Sequence, residues 1–165
     1  MNIHRYKYGE VLEKRIKKYA KQFGITRAIC TDSFFYIPQD KTVCFTLFRY
    51  TTSDEFINFI NTKYDVDITE WYFVFSLLHE IGHHMTVNLL TDEEIEFETI
   101  ARKTIAATFS DDDETRHALY FELPAEDLAN KWAINYLQNH IHECWEFQNK
   151  CTAIMRHIVN KKCYR

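Results

Sequence analysis

The 165-residue sequence predicts one α+β domain over residues 1–165, mostly helical, with a small antiparallel β-sheet packed beside one buried helix. Glycine and proline occur only 3 and 2 times, which favours long regular elements over loops. Residues 26–47 are rich in β-branched and aromatic side chains, whereas the neighbouring segments have apolar residues at helical spacing. The length suits a single domain with a sizeable core.

The first part of the chain predicts one helix, a small sheet and a short second helix. Apolar residues at helical spacing predict an amphipathic helix over residues 8–23, and Gly24 suits its C-terminal stop. Residues 38–41 predict a hairpin turn, and a second turn at residues 32–33 gives two or three short strands. A short helix is then expected to begin at the capping residue Ser53.

Residues 69–90 predict a buried helix, because no proline interrupts them and apolar side chains cover nearly all sides. Asp67 and Glu70 have the spacing of a capping box at its start. The apolar side chains are Trp71, Phe73, Val74, Phe75, Leu77, Leu78, Ile81 and Met85.

Helices are also predicted for most of the remaining chain. Thr91 and Glu94 form a second capping box, which opens a helix to about residue 107. Residues 120–123 predict a short extended piece, after which Pro124 suits the first position of a helix. Helical character continues to about residue 159, with a break expected near residues 138–142.

The buried helix contains the pattern H-E-x-x-H at His79, Glu80 and His83. Positions i and i+4 share a helix face, so the two imidazoles can bind one zinc ion from the same side. Glu80 then stands beside the metal, where a general base takes a proton from water. The alternative is a pair of satisfied core histidines with a chance glutamate, although burying these polar groups without partners is costly.

A catalytic zinc ion commonly has three protein ligands and one water. The third ligand should lie on a separate element, and Glu126 is the best candidate because it falls in the first turn of a predicted helix. Asn130, one turn later, is placed to hydrogen-bond a ligand imidazole, and the small Ala129 allows close approach to the first helix. Other candidates are Glu122, Asp127, His117 and the cluster at residues 111–113.

Two motifs, His79-Glu80-Ile81-Gly82-His83-His84 and Glu126-Asp127-Leu128-Ala129-Asn130-Lys131-Trp132-Ala133, resemble the ImmA/IrrE family of zinc metallopeptidases. That family occurs in mobile elements such as prophages and in bacterial stress regulators. The resemblance implies a zincin-like fold, Zn²⁺ as cofactor, Glu126 as third ligand and Asn130 at the family's Asp/Asn position. It also implies an endopeptidase acting on a protein substrate, for which a transcriptional repressor is one candidate. Leu128 departs from the family pattern, which has a second Glu there.

Composition limits the other functions. A net charge of −4 disfavours direct nucleic-acid binding, and the basic run at residues 14–21 falls on the outer face of a predicted helix. The polar first 15 residues predict no signal peptide, and no apolar run reaches the length of a membrane span. Five cysteines without a C-x-x-C pattern favour the cytoplasm and reduced thiols.

Two other functions are open alternatives. A SprT-like protease acting on DNA-bound proteins needs a basic surface or an added zinc module, which this composition disfavours. A non-catalytic zinc-containing regulatory or interaction protein has no use for an intact Glu80. A separate zinc site at His140, Cys144 and Cys151 matches no standard spacing, so cysteines of the core are the preferred interpretation.

Two parts of the expected active site each have more than one candidate. The group that stabilises the oxyanion has four candidates, and an extended substrate could pair with either of two β-rich runs, residues 34–37 or 43–47. The four oxyanion candidates are Tyr120, Tyr136, His84 and His117.

Overall fold

The computed structural model describes residues 9–47, 51–109 and 111–163, with the side chains of residues 51, 52, 113, 114 and 158–163 outside the description. The chain is mostly helical, and a three-stranded sheet lies near its start, as the sequence predicts for an α+β domain. In chain order the elements are α1 (Glu10–Ala20), β1 (Arg27–Thr31), β2 (Phe35–Ile37), β3 (Thr42–Thr46), α2 (Thr51–Tyr64), α3 (Tyr72–Thr86), α4 (Asp92–Thr108), α5 (Asp113–Phe121), α6 (Pro124–Asn139) and α7 (Ile141–Cys163).

The sheet is mixed, so the prediction of an antiparallel sheet is wrong for one of its two strand pairs. The strand order is β1-β3-β2, with β1 parallel and β2 antiparallel to β3. The hairpin between β2 and β3 is confirmed, because Pro38–Asp40 form a 3₁₀ turn and Lys41 has the left-handed φ of 48°. The bend after β1 does not close a hairpin. It carries the chain to the far side of β3, which is buried at all five positions and therefore takes the centre.

Several predicted helix boundaries are confirmed and others are wrong. Thr91 caps α4 in a complete capping box, and α6 and α7 meet at His140, where a break was expected. The predicted extended piece at residues 120–123 is wrong, because α5 runs through Phe121 before Pro124 starts α6. The capping box expected before α3 is also absent, because Asp67 binds the N–H of Thr69 in a 3₁₀ turn instead. Part of the first predicted helix, at residue 8, lies outside the described residues.

Ser53 does not cap α2, because that helix begins two residues earlier. Its hydroxyl lies 2.8 Å from the Tyr72 hydroxyl at the start of α3.

Helix α3 passes through the middle of the molecule and packs against both β2 and α6. Its apolar residues join one core with residues of the sheet, α1, α6 and α7. Phe45, Phe75, Leu77, Leu78 and Ile81 are completely buried in that core. The polar residues His79 and Glu80 are carried into this interior by the same helix.

The described cysteines are buried thiols: Cys30, Cys44, Cys144 and Cys151. Burial raises the pKa of the Cys44 and Cys151 thiols to about 12. The Cys144 thiol lies 3.7 Å from the Tyr19 hydroxyl, while His140 is an exposed residue stacked on Tyr136. Among the described side chains, His140, Cys144 and Cys151 therefore form no second metal cluster. None of the described helices has both the length and the apolar character needed to cross a bilayer.

Helices α3 and α6 approach closely where Gly82 faces Ala129. A Cβ atom on Gly82 would lie 2.7 Å from the carbonyl oxygen of Ala129, which is closer than real Cβ atoms come to backbone. The carbonyl belongs to a helix and cannot give way alone, so a side chain at residue 82 must push α6 outward. The closeness of the two helices depends on this glycine.

Replacing Gly82 with alanine is therefore expected to destabilise the protein. Alanine is the better helix former by about 1 kcal/mol, but overpacking typically costs about 1–3 kcal/mol and should outweigh that gain here. Because α6 carries Glu126, the affinity of the predicted zinc site should fall as well. Urea unfolding and zinc titration of Gly82→Ala measure both effects. A Gly82→Ala variant with wild-type zinc affinity and higher stability would show that a methyl group fits between the two helices.

Candidate metal centre

Three side chains from two helices converge at one point of the interior. His79 and His83 project from one face of α3, and Glu126 meets them from the first turn of α6. Glu126 Oε2 lies 3.1 Å from His79 Nε2 and 3.4 Å from His83 Nε2, while the two Nε2 atoms are 3.2 Å apart. The sequence-predicted pair and the preferred third ligand therefore form one cluster.

The dimensions of this triangle suit a zinc ion. A tetrahedral zinc ion with bonds of about 2.0–2.1 Å separates its ligand atoms by about 3.3–3.4 Å. The three edges of the triangle, 3.1, 3.2 and 3.4 Å, lie close to that separation. Two imidazole nitrogens and one carboxylate oxygen are also a donor set that zinc accepts, and three ligands leave a fourth position for water. The residues present fit the ion that the motif predicts.

Asn130 fixes the orientation of the first histidine. Its amide oxygen can only accept a hydrogen bond, so His79 Nδ1–H donates to Asn130 Oδ1 over 2.8 Å. This leaves the lone pair of His79 Nε2 directed at the other two ligand atoms. Both Asn130 and Ala129 are completely buried one turn after Glu126. The predicted supporting role of Asn130 agrees with this geometry.

The ligand side chains are electrostatically coupled. Burial disfavours the charged form of Glu126, yet its hydrogen bonds to His79 and His83 outweigh burial and hold the pKa of the carboxyl well below its usual range. Burial also opposes the charged form of His79, but the bond to Glu126 and the charge of Glu80 raise the pKa of that imidazole. A proton therefore binds favourably where a metal cation would stand.

Glu80 lies in the same interior but is not part of the triangle. It is buried, and burial raises the pKa of its carboxyl; the nearby His79 and His83 oppose this rise and the charge of Glu126 adds to it. The backbone of Tyr36 in β2 supplies one hydrogen bond to the carboxylate. A carboxylate with a raised pKa is a better proton acceptor at neutral pH than an exposed one, which suits a general base.

The other candidate ligands have different partners. Glu122 is largely exposed and pairs with Lys63 at 2.7 Å, while Asp127 binds the Tyr64 hydroxyl at 2.8 Å. His117 Nδ1 lies 3.1 Å from Glu55 Oε2, at the side of the cleft. In the cluster at residues 111–113, the Asp112 side chain caps α5, and the Asp113 side chain lies outside the description.

Sequence reasoning missed two residues that contact the site, Glu98 and Arg102 of α4. Arg102 Nη2 donates a hydrogen bond to Glu126 Oε1 at 2.9 Å, the carboxylate oxygen that points away from the histidines. Arg102 is in turn held by Glu98, whose Oε2 accepts from the guanidinium Nε at 3.0 Å. In sequence the two form an i,i+4 pair of opposite charge, which normally indicates a solvated salt bridge.

A cleft of about 560 Å³ opens onto His79, Glu80 and His83. Tyr120 and His117 line this cleft and remain candidates for the oxyanion donor. Tyr136 is stacked between Trp132 and His140 elsewhere, and the Tyr36 hydroxyl lies 2.7 Å from His84 Nδ1. Two of the four candidates from the sequence therefore face the cleft.

Strand β2 also borders the cleft, through Phe35 and Tyr36. The strand order leaves β2 at an edge of the sheet, whereas β3 is paired on both sides. Of the two β-rich runs considered for binding an extended substrate, only residues 34–37 have an unpaired edge in the described sheet.

The coupled ionisations predict that zinc binding at this candidate site would stabilise the protein more at higher pH. His79 has a raised pKa in the folded state, so its contribution to stability is complete below the unfolded value of 6.5 and is lost as pH rises through the folded value. Glu126 has a lowered pKa, so its contribution is present above 4.5 and is lost on acidification. Zinc needs the neutral imidazole and replaces that proton. Thermal unfolding with zinc or with chelator, at about pH 5.5 and about pH 8, should show a larger zinc-induced rise at the higher pH; an equal rise at both contradicts the coupling.

Comparisons of the chain with protein-family models, with curated proteins and with solved structures gave no match.

Proposed function

We propose that this chain is a zinc-dependent endopeptidase that hydrolyses a peptide bond in a protein substrate. The observation that carries the proposal is the convergence of His79, His83 and Glu126 beside a cleft, with Glu80 buried next to them. A structural zinc site has four protein ligands and no need of a further carboxylate, whereas a hydrolytic site has three ligands and a base.

The role proposed for each residue follows from its position in the site. His79, His83 and Glu126 would hold the ion, and Asn130 keeps His79 in the tautomer that can bind it. Bound zinc supplies a lowered water pKa, about 7, and polarises the scissile carbonyl. Glu80 would accept the proton of the attacking water and pass it to the leaving amine. The edge of β2 that no other strand pairs with, where the Tyr36 backbone also binds Glu80, would hold the substrate backbone in extended form by strand addition.

The finer features of the proposal rest on the two short motifs shared with ImmA/IrrE proteins. These are the zincin-like arrangement, the link to prophages and other mobile elements, and a repressor as a candidate substrate. A cytoplasmic location fits the buried thiols, and the net charge of −4 gives no support for direct nucleic-acid binding.

The proposal is tested by looking for peptide-bond cleavage that depends on Glu80. The zinc-loaded protein and its Glu80→Gln variant are each incubated with a cell extract, and newly formed peptide N-termini are identified by mass spectrometry. New N-termini that appear with the wild type alone support a peptidase. Equal sets from both proteins, or none from either across extracts of the native host, favour the non-catalytic zinc-containing interaction protein.

A further inference from the structure

Arg102 on α4 contacts the proposed metal centre from outside. Its Nη2 donates to Glu126 Oε1 at 2.9 Å and lies 2.9 Å from Glu98 Oε2, while its Nε donates to the same Glu98 oxygen at 3.0 Å. The remaining Nη1 donates to the Tyr120 hydroxyl, whose ring lies 4.5 Å from the guanidinium carbon. All three guanidinium nitrogens thus have a partner, and each partner lies near the metal centre.

Helix α4 contributes little apolar packing to the core. Across this fully described helix, the single buried residue is the carboxylate Glu98. Phe97 and Ile100 are each 57% exposed, and Ile95 is 46% exposed. A helix that served only to complete the core would bury its apolar residues and expose its charges. What α4 does turn toward the interior is the buried Glu98 together with the partly exposed Arg102.

Glu98 also anchors the start of the helix that bears the third ligand. Leu123, at the N-cap of α6, offers no side-chain cap, and the backbone N–H of Ala125 instead donates to Glu98 Oε1. One carboxylate of α4 therefore holds both the guanidinium of Arg102 and the backbone next to Glu126. The position and the orientation of Glu126 depend on the same pair of residues.

We propose that Arg102 is a positioning residue that makes Glu126 bind the metal through one oxygen only. The inference rests on the proposed zinc site and deepens it. Because the guanidinium holds Oε1, Oε2 alone faces His79 and His83. A carboxylate that turned both oxygens inward would take the position that water needs. Arg102 would thus keep the fourth position open without binding the metal itself.

The test compares Arg102→Met with Lys103→Met, an exposed neighbour on the same helix that undergoes the same chemical change. Zinc affinity is measured by competition with a chelator, and coordination is read from the visible absorption of the Co²⁺-substituted protein. Loss of an outer contact to a ligand typically weakens metal binding about 10–100-fold, and we expect that loss for Arg102→Met alone. Its Co²⁺ absorption should also weaken, as it does when coordination rises from four to five, whereas Lys103→Met should match the wild type.

Two further measurements separate positioning from a merely structural ion pair. Arg102→Lys keeps the charge and one donor, so it should recover part of the zinc affinity and of the Co²⁺ absorption. Thermal unfolding of the metal-free proteins shows whether each variant folds. If Arg102→Met does not fold, Arg102→Gln is measured in its place, and a zinc affinity and Co²⁺ spectrum identical to the wild type overturn the inference. The inference also fails if folded Arg102→Met binds zinc as tightly as the wild type with an unchanged spectrum. A wild-type chain that binds no zinc would overturn the proposed function as well, so the two failures are distinguishable.

Discussion

Replacing Glu80 with glutamine is expected to abolish peptide hydrolysis and to leave zinc binding intact. The carboxylate lies beside His79 and His83 but outside the triangle of candidate ligand atoms, so in the proposed reaction its charge would serve proton transfer and not the holding of the ion. Proton transfer by a positioned side chain contributes about 10²–10⁴-fold to a rate, and a primary amide cannot supply it. The rate of substrate cleavage and the bound zinc per chain are the two quantities to measure.

The same variant should be more stable than the wild type when no metal is bound. Burial and the negative charge of Glu126 both disfavour a charged Glu80, which is why the pKa of the Glu80 carboxyl is raised. A neutral glutamine removes that penalty and can still accept the hydrogen bond from Tyr36. Glu96→Gln, an exposed change on α4, is the matched control for loss of a negative charge. Cleavage by Glu80→Gln at the wild-type rate would show that Glu80 is not the general base.

Replacing Glu126 with glutamine is expected to cause the largest loss of zinc affinity. The amide has nearly the same shape and its oxygen can still accept from Arg102, so folding should survive the change. A neutral amide oxygen is, however, a much poorer zinc ligand than a carboxylate, and two imidazoles alone hold zinc weakly. The loss should exceed the roughly 10–100-fold that is typical of an outer contact.

Asp127 provides a close control for that experiment. It follows Glu126 in the same helical turn, but its carboxylate binds Tyr64 and Lys131 and does not approach the histidines. Asp127→Asn should therefore leave zinc affinity unchanged while removing the same charge from the same helix. Chelator competition on the two variants measures the difference. Equal affinity of Glu126→Gln and the wild type would mean that the third ligand has been assigned wrongly.

The ligand set could be predicted from the sequence because each part has a local signature. His79 and His83 are one helical turn apart, and Glu126 and Asn130 stand at the start of a helix opened by Pro124. These spacings place side chains on a known face of a helix, whatever the rest of the fold does. A zinc ion bound by His79 and His83 needs a third ligand, and this requirement predicts that α6 packs against α3.

Arg102 and the parallel strand pair could not be predicted in the same way. The apolar residues of α4 are spread around the helix, and Ile95, Phe97 and Ile100 are exposed. Hydrophobic periodicity therefore does not identify the side that carries Glu98 and Arg102. Strands β1 and β3 run in the same direction in either arrangement, but they pair directly only because the three-residue strand β2 occupies the other side of β3. Tertiary packing determines this strand order, and no turn signal in residues 32–34 predicts it.

X-ray absorption at the zinc edge of the purified, zinc-loaded chain tests the central claim most directly. We expect one zinc ion per chain with two imidazole nitrogens and one carboxylate oxygen at about 2.0–2.1 Å, together with one further oxygen from water. The His79→Ala and Glu126→Gln variants should each lose that signal. A chain that retains no divalent ion, or a zinc ion coordinated by sulfur, would contradict the metal centre built from α3 and α6.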